Sequence, residues 1–118
     1  EAALLAWLDS GGRVNATCGA GDVSGLTALM TAAQFGHERV VELLLQRGAE
    51  INMQNSVGRT ALMRAAVNGH ERVVDLLLQR GAEINQQSRA GGTALMNAAY
   101  HGYERVVELL VQRGAEIN

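Results

Sequence analysis

The strongest constraint on this chain is that it repeats itself every 33 residues. Thr27-Ala28-Leu29-Met30 recurs as Thr60-Ala61-Leu62-Met63 and as Thr93-Ala94-Leu95-Met96. Gly36, Gly69 and Gly102 keep the same step, as do Gly48, Gly81 and Gly114, and Asn52, Asn85 and Asn118. A fixed period of this length is the signature of an array in which each unit is one small motif that cannot bury its apolar face alone. Leu4 to Asn15 matches the tail of a further unit, with Gly11 where Gly48 falls. The chain is therefore expected to form one domain over 1–118. It would hold a partial N-terminal unit over 1–15, a lengthened linker over 16–26, and three helical parts over 27–52, 60–85 and 93–118.

Each unit reads as two short helices. Thr27 suits an N-cap, because its hydroxyl can accept from a backbone N–H of the first turn. The first helix is predicted from Ala28 to Phe35, ended by Gly36. The second is predicted from Glu38 to Arg47, with Gly48 in the left-handed position that closes a helix. A polar stretch with glycine, Asn52 to Arg59, then carries the chain to the next unit as a tight hairpin.

On the second helix, Val40, Val41, Leu43, Leu44 and Leu45 span about 200° of arc, roughly double the stripe of a surface helix. So wide an apolar face must be covered by the partner helix and by both neighbouring units. Ala28, Leu29, Ala32 and Ala33 form the inward face of the first helix, and their small side chains allow close helix approach. Only four residues are aromatic, so the core must come from aliphatic side chains and methionine. Trp7, at the Leu44-equivalent position, reads as packing under the first full unit. The expected architecture is an all-α repeat solenoid, stabilised unit against unit.

These residues resemble the ankyrin-repeat family. The resemblance rests on the period, on Thr-x-Leu-x-x-Ala-Ala, on Gly-His at 36–37 and 69–70, and on Gly-Ala-x-Ile-Asn, and it covers nearly the whole chain. Two positions depart from the family pattern. Ala28, Ala61 and Ala94 replace the usual Pro, and Met30, Met63 and Met96 replace the usual His. The first change keeps good helix propensity. The second exchanges a hydrogen-bonding ring for a flexible apolar filler. The first linker is also longer, twelve steps from Asn15 to Thr27 against eight from Asn52 to Thr60, with the extra residues near Thr17 to Gly21.

Comparing the units with each other shows where they differ. Glu38 to Asn52 returns almost unchanged, whereas variation gathers in the hairpins and on the first helices. It falls at Asp22/Asn55/Ser88, Val23/Ser56/Arg89, Ser24/Val57/Ala90 and Leu26/Arg59/Gly92, then at Thr31/Arg64/Asn97, Gln34/Val67/Tyr100 and Phe35/Asn68/His101. The three helix positions lie within about 100° of one another, opposite the alanine face. The resemblance implies a concave face of hairpins and first helices that binds a protein. The expected contact residues are Val23, Leu26, Thr31, Gln34, Phe35, Ser56, Val57, Arg59, Arg64, Val67, Asn68, Arg89, Asn97, Tyr100 and His101. Phe35 and Tyr100 would be aromatic anchors and the arginines polar contacts, both residue classes being enriched at interfaces. Three arginines against one acid, Asp22, point to a mildly acidic partner surface.

Other functions find little support. The formal charge is −2 and all ten basic residues are Arg, so no basic balance points to nucleic acid. No 18-residue apolar run is present to cross a membrane. His37 and His70 should stand about one helix-packing distance apart, about 10 Å, without further ligands for a metal. Cys18 has no histidine near it in sequence to act as a base, and reads as a free thiol. One cysteine excludes an internal disulfide and suits a reducing, intracellular compartment. Gly19-Ala20-Gly21 lacks the ending of a phosphate loop. No catalytic residue, metal or cofactor is expected.

Glu38-Arg39, Glu71-Arg72 and Glu104-Arg105, with Arg47, Arg80 and Arg113, read as a solvated convex face. Asn52, Asn85 and Asn118 resemble ankyrin asparagines that an oxygen-sensing dioxygenase hydroxylates, although a structural side chain that braces the turn is the preferred reading. The last unit keeps the apolar helix Val106 to Val111 where a terminal cap should turn polar. A structural spacer within a longer array, or end-to-end self-association, is the alternative to a binding module. The near-identity of the second helices suits recent duplication and consensus design equally.

Overall fold

The computed structural model describes residues 13–20 and 23–117 of the chain. The partial unit around Leu4 to Gly11, with Trp7, lies outside the described residues, as do Asp22 and Asn118. Two strands, β1 (Cys18–Ala20) and β2 (Val23–Leu26), open the described fold as an antiparallel hairpin. Cys18 pairs with Leu26 and Ala20 with Val23, with an irregularity between them. Six helices follow among the described residues: α1 (Ala28–Gln34), α2 (Glu38–Gln46), α3 (Ala61–Val67), α4 (Glu71–Gln79), α5 (Ala94–Tyr100) and α6 (Glu104–Gln112).

Threonine starts each first helix as expected. Thr27, Thr60 and Thr93 hold extended backbone, and their hydroxyls accept from the N–H of Met30, Met63 and Met96 at 3.2, 3.3 and 3.3 Å. Phe35 caps α1 instead of lying within it, and Arg47 caps α2 in the same way. Both ends close with paired bonds around a left-handed glycine. His37 N–H reaches Ala32 O and Gly36 N–H reaches Ala33 O, while Ala49 N–H reaches Leu44 O and Gly48 N–H reaches Leu45 O. With φ of 73° at Gly36 and 91° at Gly48, a side chain there would be strained.

The units stack side by side. First helices α1, α3 and α5 contact one another in a row, and α2, α4 and α6 form a second, less intimate row behind them. Alanine explains the difference: Ala32, Ala33, Ala61, Ala65, Ala66 and Ala98 are all buried and let the first helices approach closely. Behind them Val41, Leu44, Val73, Val74, Leu77, Val106 and Leu110 fill the core. Met30 and Met63 are also buried, which widens the inward face beyond the residues the sequence assigned to it, while Ala28 is only half-buried.

Side chains join the units as well. Asn15 Oδ1 accepts from Glu50 N–H, Asn52 Oδ1 from Glu83 N–H and Asn85 Oδ1 from Glu116 N–H, each at 2.8 Å. The asparagines therefore brace a turn, that of the following unit. His70 Nε2 donates to Gln34 O of the preceding unit at 2.8 Å. Tyr103 occupies the equivalent place in the third unit and lies over Gly69.

Candidate interaction surface

The later linkers are too short for a strand ladder and close as single turns. Asn55 N–H donates to Arg59 O at 3.0 Å, and Ser88 N–H donates to Gly92 O at 2.8 Å. Asn55 also accepts, through Oδ1, from the N–H groups of Val57 and Arg59, both at 3.0 Å. Ser88 Oγ serves Gly92 N–H in the same way at 3.2 Å. Asn55 is buried. Variation at this position is thus an exchange between two turn-building side chains.

Successive hairpins bond to each other and set one continuous edge. Ser56 N–H donates to Ser24 O at 2.8 Å, and Arg89 N–H donates to Val57 O at 3.0 Å. The Ser56 hydroxyl accepts from Ser24 N–H at 2.9 Å, so this side chain belongs in part to the scaffold. Gln54 Nε2 donates to Gly58 O and, across the boundary, to Gln87 O.

Along this edge the expected contact residues divide by exposure. Phe35 is 60% exposed and Tyr100 86%, unusual for aromatic rings. Thr31, Arg59, Asn68, Arg89 and His101 are exposed, while Val23, Leu26, Gln34, Ser56, Val57, Arg64, Val67 and Asn97 are half-buried. Tyr100 meets His101 edge-on at 5.1 Å, and His101 stacks with Tyr103 at 5.9 Å.

Six of these residues, Gln34, Arg59, Arg64, Val67, Asn68 and Asn97, surround one cleft of about 230 Å³. Three units contribute to it. Met63 also lines it, a residue that comparison of the units hides because the same methionine recurs in each. Arg64 Nε is buried there with no hydrogen-bond partner. Burial, and then the charge of Arg59, hold the Arg64 guanidinium below its usual pKa. Phe35 and Tyr100 stand outside this cleft, as do the hairpin residues Val23, Leu26, Ser56, Val57 and Arg89.

A second groove, of about 420 Å³, lies between the first hairpin and α1. Cys18 and His37, distant in sequence, both line it, yet no hydrogen bond joins them among the described residues. Among the described residues no three His, Cys, Asp or Glu side chains group as metal ligands, and no helix is long and apolar enough to cross a membrane. On the opposite face Arg39 pairs with Glu42 at 3.5 Å, and Arg113 pairs with Asp75 of the preceding unit.

Paired helices joined by turns, stacked on a 33-residue period, define a repeat solenoid of the helix-turn-helix kind. The family described as ankyrin repeats (3 copies) matches residues 2–88 and again 57–118, and the chain belongs to the ankyrin-repeat family. Members of this family are generally protein–protein interaction modules and typically non-catalytic. No curated protein matches the chain.

Proposed function

We propose that this protein is a non-catalytic module that holds a protein partner on its concave side, across the hairpins and first helices. The observation that carries the reading is the cleft, where six residues that vary between units converge from three of them. Phe35 and Tyr100 supply exposed aromatic area nearby, the kind of side chain that anchors interfaces. Arg59, Arg64 and Arg89 give the strip a positive cast that suits a mildly acidic partner. An intracellular setting suits the exposed, free Cys18.

The test is capture from a lysate of the source cells by wild type, by Phe35→Ala/Tyr100→Ala, and by Arg39→Ala/Arg72→Ala on the opposite face. Circular dichroism verifies that all three fold. A protein held by wild type and the second variant but lost by the first is the expected result. Equal retention by all three overturns the reading.

A second reading follows from the third unit. Met96 is 58% exposed and Val111 41%, whereas Met30 and Met63 are each 1% exposed beneath the unit that follows them. We propose that this face stacks on a second copy, as a spacer or self-assembling segment would. Sedimentation velocity should then show association that rises with concentration and disappears in Met96→Glu. A sedimentation coefficient that stays at the monomer value across concentrations sinks this second reading.

A further inference from the structure

Arginine carries five N–H donors in a fixed fork and no acceptor, so a buried guanidinium calls for acceptors around it. Arg64 lacks them. Its Nε is buried without a partner, and among the described residues its side chain makes no hydrogen bond or ion pair. The two ion pairs described elsewhere, Arg39–Glu42 and Arg113–Asp75, engage neither Arg64 nor Arg59. A second guanidinium, that of Arg59, lines the same cleft and makes the deficit of negative charge larger. Buried donors are normally bonded, and an uncompensated half-buried charge is unfavourable. A group received in this cleft must therefore offer an acceptor, and the two cations that line it favour an anionic one.

We infer that the Arg59–Arg64 cleft is an oxyanion subsite that receives the carboxylate or phosphoryl group of a side chain on the bound protein. This deepens the concave-side reading and rests on it. The space of about 230 Å³ equals roughly eight waters' share of liquid volume, enough for such a group with some solvent. Asn68 and Asn97 provide neutral polar groups at its margin, while Met63 and Val67 give apolar wall that limits water and strengthens charge attraction.

The site is also held in place. Asn55 clamps the Arg59 backbone through both its N–H and its carbonyl, and α3 packs between α1 and α5. Guanidinium forks match planar carboxylates and phosphate edges in a bidentate manner. The neighbouring units have Leu26 and Gly92 at the Arg59 position, and Thr31 and Asn97 at the Arg64 position. Only the middle unit carries the pair, so the subsite fixes where along the strip an acidic residue of the partner must fall.

The test needs no partner. The Arg Nε–H resonances of the ¹⁵N-labelled chain are followed by NMR during titration with acetate or inorganic phosphate, with ionic strength held constant by chloride. The expected result is a saturable shift at Arg64, absent at Arg72 and Arg105 on the opposite side, and roughly tenfold weaker in Arg59→Gln. Saturation by acetate identifies a carboxylate acceptor site, and saturation by phosphate alone a phosphoryl one. An Arg64 resonance that moves with neither anion, or no more than Arg72, overturns the proposal.

A structural role makes a different prediction. If Arg64 served only the fold, Arg64→Gln would lower Tm, whereas an unfilled subsite leaves the unliganded Tm unchanged or raised. Failure of the titration, with the partner still lost by Phe35→Ala/Tyr100→Ala, removes the subsite and leaves the concave surface. Anion binding with the partner retained by that variant removes the surface instead.

Discussion

His70 lies against Gly36 of the preceding unit so closely that a Cβ on that glycine would stand 2.7 Å from the ring's Nδ1. The ring is held there by Nε2, which faces Gln34 O at 2.8 Å and therefore carries the hydrogen it donates to that carbonyl. Gly36 thus meets two independent demands: a left-handed φ of 73° and room for a neighbour's ring.

Gly48 meets only the first, since a Cβ there would find nothing within 4 Å. Gly36→Ala should therefore cost about 3 kcal/mol, combining backbone strain with overpacking, and Gly48→Ala about 1 kcal/mol. Urea unfolding with unchanged m-values checks the order. Equal costs would show that the ring shifts aside freely.

Asn52 reaches forward to Glu83 N–H, and no other side chain offers that amide an acceptor among the described bonds. Asn52→Ala should cost about 1–2 kcal/mol and speed hydrogen exchange at the Glu83 amide. Asn52→Asp keeps an acceptor oxygen and should cost less. Unchanged exchange at Glu83 in the alanine variant would contradict the brace.

Met63 is 1% exposed and Met96 58%, although both occupy the same place in their units, directly after Thr-Ala-Leu. Met63→Gln should destabilise by about 3 kcal/mol through burial of an amide, while Met96→Gln should stay within about 0.5 kcal/mol. Thermal melts of the two variants decide it; comparable losses would mean that the third unit is covered as fully as the second.

Thr60 is buried as well as capping, and its hydroxyl is the acceptor for Met63 N–H at 3.3 Å. Thr60→Ala should lose about 1 kcal/mol, and Thr60→Ser should recover most of it. A serine variant as weak as alanine would assign the effect to the lost methyl group and not to the cap.

Helix positions were readable from the chain because their causes are local. Thr27 caps through a group three residues away, and Gly36 and Gly48 close helices through their own φ. The alanine and leucine periodicity likewise marked the core. Contacts between units were harder to read. Asn52 read as a brace for a turn, but its partner is 31 residues on, a distance over which sequence spacing says nothing of geometry. Asn55 lies at one of the positions that vary between units, but Asn and Ser both hydrogen-bond nearby backbone, and variation alone does not separate exchange of equivalents from change of function. Met63 shows the converse: constancy hid a cleft wall. The burial of Arg64 depended on how three units meet, which no single repeat contains.

Thr31, Arg64 and Asn97 stand at one position of the three units, on helices whose inward faces are drawn from the same alanine, leucine and methionine positions. Chemistry on the outer side of these helices is therefore decoupled from the packing that holds them. A lineage, or a laboratory, could revise the pattern of charge and shape along the strip by exchanging single residues, or by shuffling whole units, without redesigning the joints between them. Recognition in such a protein is written in an order of interchangeable letters, and the scaffold is the grammar that stays fixed.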